Sequence, residues 1–191
     1  MSDKKFDPRQ IHKLNNPERL KTQNPDLIWK TLGLKQARRL VDIGAGTGFF
    51  AVPFCDKMED GIVYACDTSD TMLQWMKENL ADTYTNRVIP LKSSESQIPL
   101  EGGLADLVYM INLHHELEDP CAMLEESARL LKPGGKLMII DWKVAETPGG
   151  PPQSIRIPES TIAAQLQNAG FTAIQHHDTL PYHCFLVATK A

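Results

Sequence analysis

From Arg39 onward the apolar positions fall into short, near-continuous runs separated by segments of helical spacing. The runs cover residues 39–43, 62–67, 87–91, 104–113 and 136–142, and their lack of polar alternation predicts strands covered on both faces of a sheet. Helices are predicted in the gaps. One begins near Gly48, with its first turns delayed by Pro53. A second takes Ser69 as N-cap and sets Met72, Trp75, Met76 and Leu80 on one face. A third is capped by Asp119, has Pro120 at its first position, runs through Met123, Leu124, Ser127, Leu130 and Leu131, and stops at Pro133-Gly134-Gly135. Beyond Trp142 the chain turns rich in proline and glycine over residues 143–152, which excludes helix and central strand and predicts a long loop. A helix over 158–168 follows, ended by Gly170, and the runs at 171–177 and 183–189 read as an antiparallel hairpin. Strands alternating with helices predict an α/β, doubly wound parallel sheet that holds ligands at the carboxyl ends of its strands. Residues 1–33, interrupted by Pro8, Pro17 and Pro25, carry one short helical period at Leu27, Ile28, Trp29 and Leu32. They read as a helical lid appended to a domain spanning 34–191.

The first strand runs into Gly44-Ala45-Gly46-Thr47-Gly48. Glycines at this spacing let backbone lie directly against a nucleotide-like ligand. A dinucleotide fold places its third glycine five residues after the first, where this chain has Phe49. Asp42, two residues before Gly44, would repel a pyrophosphate over the turn but suits a ligand bearing an ammonium and a sulfonium. A second acid, Asp67, closes the second strand, where a carboxylate accepts both hydroxyls of a ribose. The fourth strand ends in Asn112-Leu113-His114-His115, which places Asn112, His114 and His115 at the crevice.

Charge and composition narrow the partners. With 20 basic and 24 acidic residues the net charge is −4, so neither nucleic acid nor an anionic membrane is expected as a partner. The pairs Lys4-Lys5 and Arg38-Arg39 are too short to alter this. The N-terminus lacks the apolar stretch of a signal peptide, and no apolar run is long enough to span a bilayer, so the expected location is the cytoplasm. Cys55, Cys66, Cys121 and Cys184 form no Cys-x-x-Cys pair, and no metal site is expected.

Asp42 with the glycine turn, together with the order of elements over 39–189, resembles the class I S-adenosylmethionine-dependent methyltransferases. The resemblance implies a Rossmann-like seven-stranded sheet of order 3-2-1-4-5-7-6 with strand 7 antiparallel, and S-adenosylmethionine as cofactor. It implies that Asp42, Gly44, Ala45, Gly46 and Gly48 hold the methionine part and Asp67 the ribose, while Thr68 and Met72 border the adenine. In the family an acid after the third strand usually meets the adenine amino group; this chain has Ser93 and Ser94 there, so Ser94 and Glu95 are the candidates. The Asn-Pro-Pro-aromatic motif of enzymes that methylate nucleic-acid amines is absent. His-His-Glu at 114–116 instead resembles small-molecule methyltransferases of the ubiquinone and menaquinone biosynthesis type.

Methyl transfer from a sulfonium depends largely on holding the acceptor close and aligned. An acceptor that must lose a proton needs a base, and His115, then His114, are the candidates. Trp29, Phe49, Trp142 and Tyr182 are possible apolar walls of an acceptor pocket roofed by the N-terminal segment and the 142–157 loop. Two other readings remain at this point: a protein that binds S-adenosylmethionine or its demethylated product without turnover, and a nicotinamide-dependent oxidoreductase.

Overall fold

The computed structural model describes residues 11–191; the part of the expected lid before Ile11 lies outside them. Two single-turn helices, α1 (Ile11–Leu14) and α2 (Arg19–Thr22), precede α3 (Pro25–Leu32). Then come β1 (Arg39–Ile43), α4 (Ala51–Asp56), β2 (Ile62–Asp67), α5 (Asp70–Asn79), β3 (Val88–Lys92) and β4 (Ala105–Ile111). The chain finishes with α6 (Pro120–Leu130), β5 (Leu131–Trp142), α7 (Glu159–Asn168), β6 (Phe171–His176) and β7 (His183–Lys190). Seven strands form one sheet in the order β3-β2-β1-β4-β5-β7-β6. Strands β1 to β5 are mutually parallel, and β7 runs antiparallel to both β5 and β6.

Alternate residues of each central strand feed opposite sides of the sheet, because successive side chains of a strand point to opposite faces. Leu40, Val63, Leu107, Tyr109, Met138, Ile140 and Phe185 pack on one side against Ile28 and Leu32 of α3, Phe54 of α4 and Met76 of α5. On the other side Val41, Ile43, Val108, Met110, Ile139 and Leu186 meet Met123, Leu124 and Leu130 of α6 and Ile162 and Leu166 of α7. Burial on both faces is why these strands lack polar alternation in the sequence. Among the described residues no helix is long and apolar enough to cross a membrane.

Local signals set most element ends. The Ser69 side chain accepts from the Met72 N–H to start α5, and the Asp119 carboxylate accepts from the Ala122 N–H at 3.0 Å to start α6, with Pro120 at the first helical position. Asp119→Ala should therefore lower unfolding free energy by about 0.5–2 kcal/mol in urea titration, the usual cost of an N-cap. Pro53 falls within the first turn of α4, where a proline is tolerated because the N–H groups of that turn have no partner within the helix.

Three boundaries differ from the expectation. Strand β5 begins at Leu131, directly after α6, where Leu131 pairs with Ala105 and a register shift accommodates Lys132 to Gly135 before Lys136 pairs with Leu107. Pro133-Gly134-Gly135 thus interrupts a strand where a helix end was expected. Strand β4 stops at Ile111, because Asn112 takes φ +59°, a conformation that cannot continue a strand. His114 and His115 consequently sit in a 3-10 turn spanning His114–Glu116, and the strand alternation expected to send them to opposite faces does not apply.

Candidate active site

A cavity of about 730 Å³ lies along the carboxyl ends of five adjacent strands, the place where an open α/β sheet receives ligands. Following the sheet from its β3 side, its lining passes from Ser93–Glu95 after β3, through Asp67–Ser69 after β2 and Asp42–Ala45 with Thr47 at β1, to Ile111–Leu113 after β4. It continues over His115–Leu117 and Met123 to Trp142 at the end of β5, and to Pro151, Pro152 and Ile155 of the loop beyond. The opposite wall comes from the N-terminal cover: Leu14, Arg19, Thr22 and Gln23.

At the β1 tip Asp42 is only 4% exposed. Burial, helped by the charge of Asp67, pushes its carboxyl well above the usual carboxylate range, against the opposing pull of Tyr109 and Arg19. The Tyr109 hydroxyl lies against it, yet that buried oxygen completes no hydrogen bond of ordinary geometry. Among the described residues Asp42 forms no salt bridge, so a cationic group entering the cavity would offset a cost the fold leaves uncompensated. Gly44 follows at φ +70°, with its N–H bonded to the Cys66 carbonyl at 2.9 Å. A Cβ built there would stand 2.7 Å from the Leu113 side chain. Both facts keep the turn bare where it meets the cavity.

Asp67 does more than end a strand. One carboxylate oxygen accepts from the Gly46 N–H and the other from the Ser69 N–H, each at 2.8 Å, so this acid ties the glycine turn to the start of α5. Burial raises its pKa in spite of those bonds. Each oxygen keeps a second acceptor direction for a ligand hydroxyl.

His115, 4% exposed, is held from behind by Asp141 near the end of β5. The Asp141 carboxylate accepts from the His115 backbone N–H at 2.8 Å and pairs with ring Nδ1 at 2.7 Å. A carboxylate can only accept, so Nδ1 carries the proton and neutral His115 presents a bare Nε2. That nitrogen lies 3.8 Å from Glu116 Oε1, and both residues line the cavity. Burial lowers the imidazole pKa, but the Asp141 hydrogen bond and the charges of Asp141 and Glu116 together outweigh it and hold His115 above its ordinary value.

The wall beyond Trp142 is pinned in place. Arg156 donates to the carbonyls of Pro151, Lys143, Ala145 and Gly149, and its guanidinium lies 5.4 Å from the Trp142 ring. Gly150 sits at φ +100° with its Cβ position 2.7 Å from the indole, so no side chain fits between loop and ring. On the cover side, Gln23 and Asn112 exchange two amide hydrogen bonds of 3.1 and 3.2 Å. Thr47 Oγ1 donates to the Asn15 side chain at 2.8 Å.

The cavity lining includes Asp42, Gly44, Ala45, Asp67, Thr68, Met72, Ser94, Glu95, Asn112 and His115. Gly46 and Gly48 lie behind it: Gly46 bonds Asp67, and the Cβ position of Gly48 is 3.3 Å from Met76. His114 is fully buried and bonded to Gln165 of α7 at 2.8 Å, on the α7 side of the turn and outside the cavity. Phe49 and Trp142 serve as walls; Trp29 packs on Phe54 instead, and Tyr182 is not in the lining. Among the described residues no cluster of His, Cys, Asp or Glu is arranged to hold a metal. Arg19, Gln23 and Asp141 escaped the sequence reading. Asp141 ends an apolar strand just as Asp42 and Asp67 do, and that shared position was the available signal.

Comparison with known proteins agrees with this geometry. Residues 41–139 match the methyltransferase domain family. A S-adenosylmethionine-dependent methyltransferase from Aquifex aeolicus superposes with a TM-score of 0.91 at 35% identity, over 98% of this chain and 100% of the other. An uncharacterized methyltransferase of Mycobacterium tuberculosis is 33% identical over 110 residues, 58% of this chain and 42% of its own length. The ubiquinone/menaquinone biosynthesis C-methyltransferase of Cupriavidus pinatubonensis is 30% identical over 129 residues, 62% and 53% of the two chains. The chain thus spans about half the length of these curated relatives. With a buried acid beside a bare glycine turn and a sheet of this order, the family match and the Aquifex aeolicus relative place the chain in the class I S-adenosylmethionine-dependent methyltransferases.

Proposed function

We propose that this protein methylates a nucleophilic atom of a small or medium-sized, largely apolar metabolite, with His115 as the base that removes the acceptor's proton. The observation that carries the reading is the His115–Asp141 pair, whose histidine lines the same cavity as the glycine turn. Bound S-adenosylmethionine supplies a methyl group on a positively charged sulfur. Asp42 suits the cationic part of that cofactor, Asp67 its ribose hydroxyls, and Thr68, Met72, Ser94 and Glu95 the adenine side.

At the other end Leu117, Met123, Trp142, Pro151, Pro152 and Ile155 offer apolar surface to an acceptor. Orientation supplies much of the rate in such a displacement. His115 Nε2 accepts a proton from an acceptor hydroxyl, amine or acidic carbon; Asp141 fixes the tautomer and stabilises the imidazolium, and the Glu116 carboxylate stands beside it. The cavity volume falls within the range of small-molecule sites, about 300–1,000 Å³. The net charge of −4 favours neither nucleic acid nor an anionic membrane as partner, and the reading places the protein in the cytoplasm.

The test is formation of S-adenosylhomocysteine from S-adenosylmethionine when fractionated metabolite pools are added. Product is expected with at least one pool, at a rate about 10²- to 10⁴-fold lower for His115→Ala. Binding of S-adenosylhomocysteine by calorimetry with no turnover on any pool would replace the enzyme by a binding protein. Heat of binding with a nicotinamide dinucleotide alone would replace both.

A further inference from the structure

We propose that Arg156 is the positioning residue of the acceptor end: by drawing the 143–151 loop around its guanidinium, it sets the wall that decides which acceptors fit. The inference rests on the reading above, in which the acceptor lies against that wall, and adds what gives the wall its shape. Trp142, Gly150, Pro151, Pro152 and Ile155 line the cavity, whereas Arg156 does not. Arg156 therefore acts on an acceptor through its neighbours.

The loop has little means of holding itself. Pro148, Pro151 and Pro152 bring no N–H to it, and the glycines at 149 and 150 leave its backbone free to take many paths. Its carbonyls therefore draw on a donor from beyond the loop. Arg156 is that donor. Nε donates to the Pro151 carbonyl at 2.9 Å, Nη1 to those of Lys143 and Ala145 at 3.0 and 2.8 Å, and Nη2 to that of Gly149 at 3.3 Å. These donors share one plane and point in different directions, so the bonds fix the path of the loop from Lys143 to Pro151. A 3-10 turn over Gln153–Ile155 brings the chain back to make them possible.

Two contacts carry that path to the cavity. The guanidinium lies 5.4 Å from the Trp142 ring, and Gly150 is so close that a Cβ on it would stand 2.7 Å from the indole. From β7 the fully buried His183 ring meets the same indole, with 4.2 Å between centroids. Loop and strand together close in Trp142, and the outline of the acceptor end follows from where that ring is held. The charge of Arg156 also reaches His115, whose pKa it lowers. A lysine keeps this charge but not the fork, because its N–H bonds radiate from a single atom. Arg156→Lys thus separates the shape of the wall from its electrostatics.

The test uses the metabolite fraction that supports formation of S-adenosylhomocysteine by the unmodified protein, titrated at saturating S-adenosylmethionine. In Arg156→Lys the amount of that fraction giving half the maximal rate should rise by about 10- to 100-fold, the scale of a misplaced contact in a positioned reaction. The maximal rate should stay within about threefold, and calorimetric affinity for S-adenosylhomocysteine within about twofold. An unchanged half-saturating amount leaves Arg156 as packing and overturns the assignment. A fall confined to the maximal rate, or a loss of S-adenosylhomocysteine affinity as large as the acceptor effect, overturns it as well. Should Arg156→Lys melt below the assay temperature, Gly150→Ala carries the test: its added methyl drives the loop and the indole apart while Arg156 remains, and the same rise in the half-saturating amount is expected, its absence overturning the assignment. Failure of the unmodified protein to form product with any pool overturns the functional reading, and this inference with it.

Discussion

Asp141→Asn is expected to lower turnover by about 10²- to 10⁴-fold, the range for loss of a positioned general base, while affinity for S-adenosylhomocysteine stays within about twofold. The amide would still accept from the His115 backbone N–H, but its NH₂ group would then face ring Nδ1. That arrangement moves the ring proton to Nε2 and removes the lone pair from the cavity side. His115→Ala should give a loss of similar size, and the double variant little more, because the two act as one unit.

The pH profile carries the same argument. His115 is held above its ordinary pKa, so the neutral, competent form accumulates as pH rises through that value. Turnover should climb with a midpoint above about 6.5, and the climb should be absent in His115→Ala. The effect on stability has the opposite direction. Protonation of a group whose pKa is raised by folding stabilises the native state; this contribution is complete below about pH 6.5 and is lost as pH rises through the folded value. Denaturant midpoints of the unmodified protein and His115→Ala, compared on both sides of that interval, check the sign. A flat rate profile together with full activity of Asp141→Asn would remove the base and leave alignment as the source of rate.

Asp67→Ala should weaken binding of S-adenosylhomocysteine by about 10- to 100-fold, or roughly 1.5–3 kcal/mol for hydrogen bonds to a charged group. Two causes add. The ribose loses its acceptor, and the Gly46 and Ser69 N–H groups lose theirs, which loosens the turn that faces the ligand. The variant is therefore also expected to unfold more easily, by about 1–3 kcal/mol for part-buried donors left unpaired. Asp67→Asn, which retains acceptor oxygen on one side only, should fall between. Burial raises the Asp67 pKa, so ligand affinity should begin to fall at a higher pH on acidification than for an ordinary aspartate. Calorimetry across pH 4–7, an interval of about three units around the usual carboxylate range, reads this directly. Unchanged affinity in Asp67→Ala would exclude the residue from the site.

Signals that act within a few residues were legible along the chain. The apolar runs, the caps at Ser69 and Asp119, the glycine turn and the acids at the ends of β1 and β2 each declare themselves through periodicity or turn chemistry. The strand boundary at Asn112 was less visible, because an asparagine at positive φ leaves no periodic mark.

The sequence by itself determined the doubly wound architecture, the location of the cavity at the strand tips and the two acids, Asp42 and Asp67, that line it. Only the tertiary structure decided which histidine meets the cavity: His114 turns to Gln165, 51 residues away, and His115 to Asp141, 26 residues away. It also decided that the N-terminal segment lies over the glycine turn, through Gln23 and Asn112, 89 residues apart, and through Arg19 stacked on Phe49 and Phe50. The physical reason is one of range: periodicity and capping are set by neighbours along the chain, whereas the orientation of a buried polar side chain is set by whichever distant partner satisfies its hydrogen bonds.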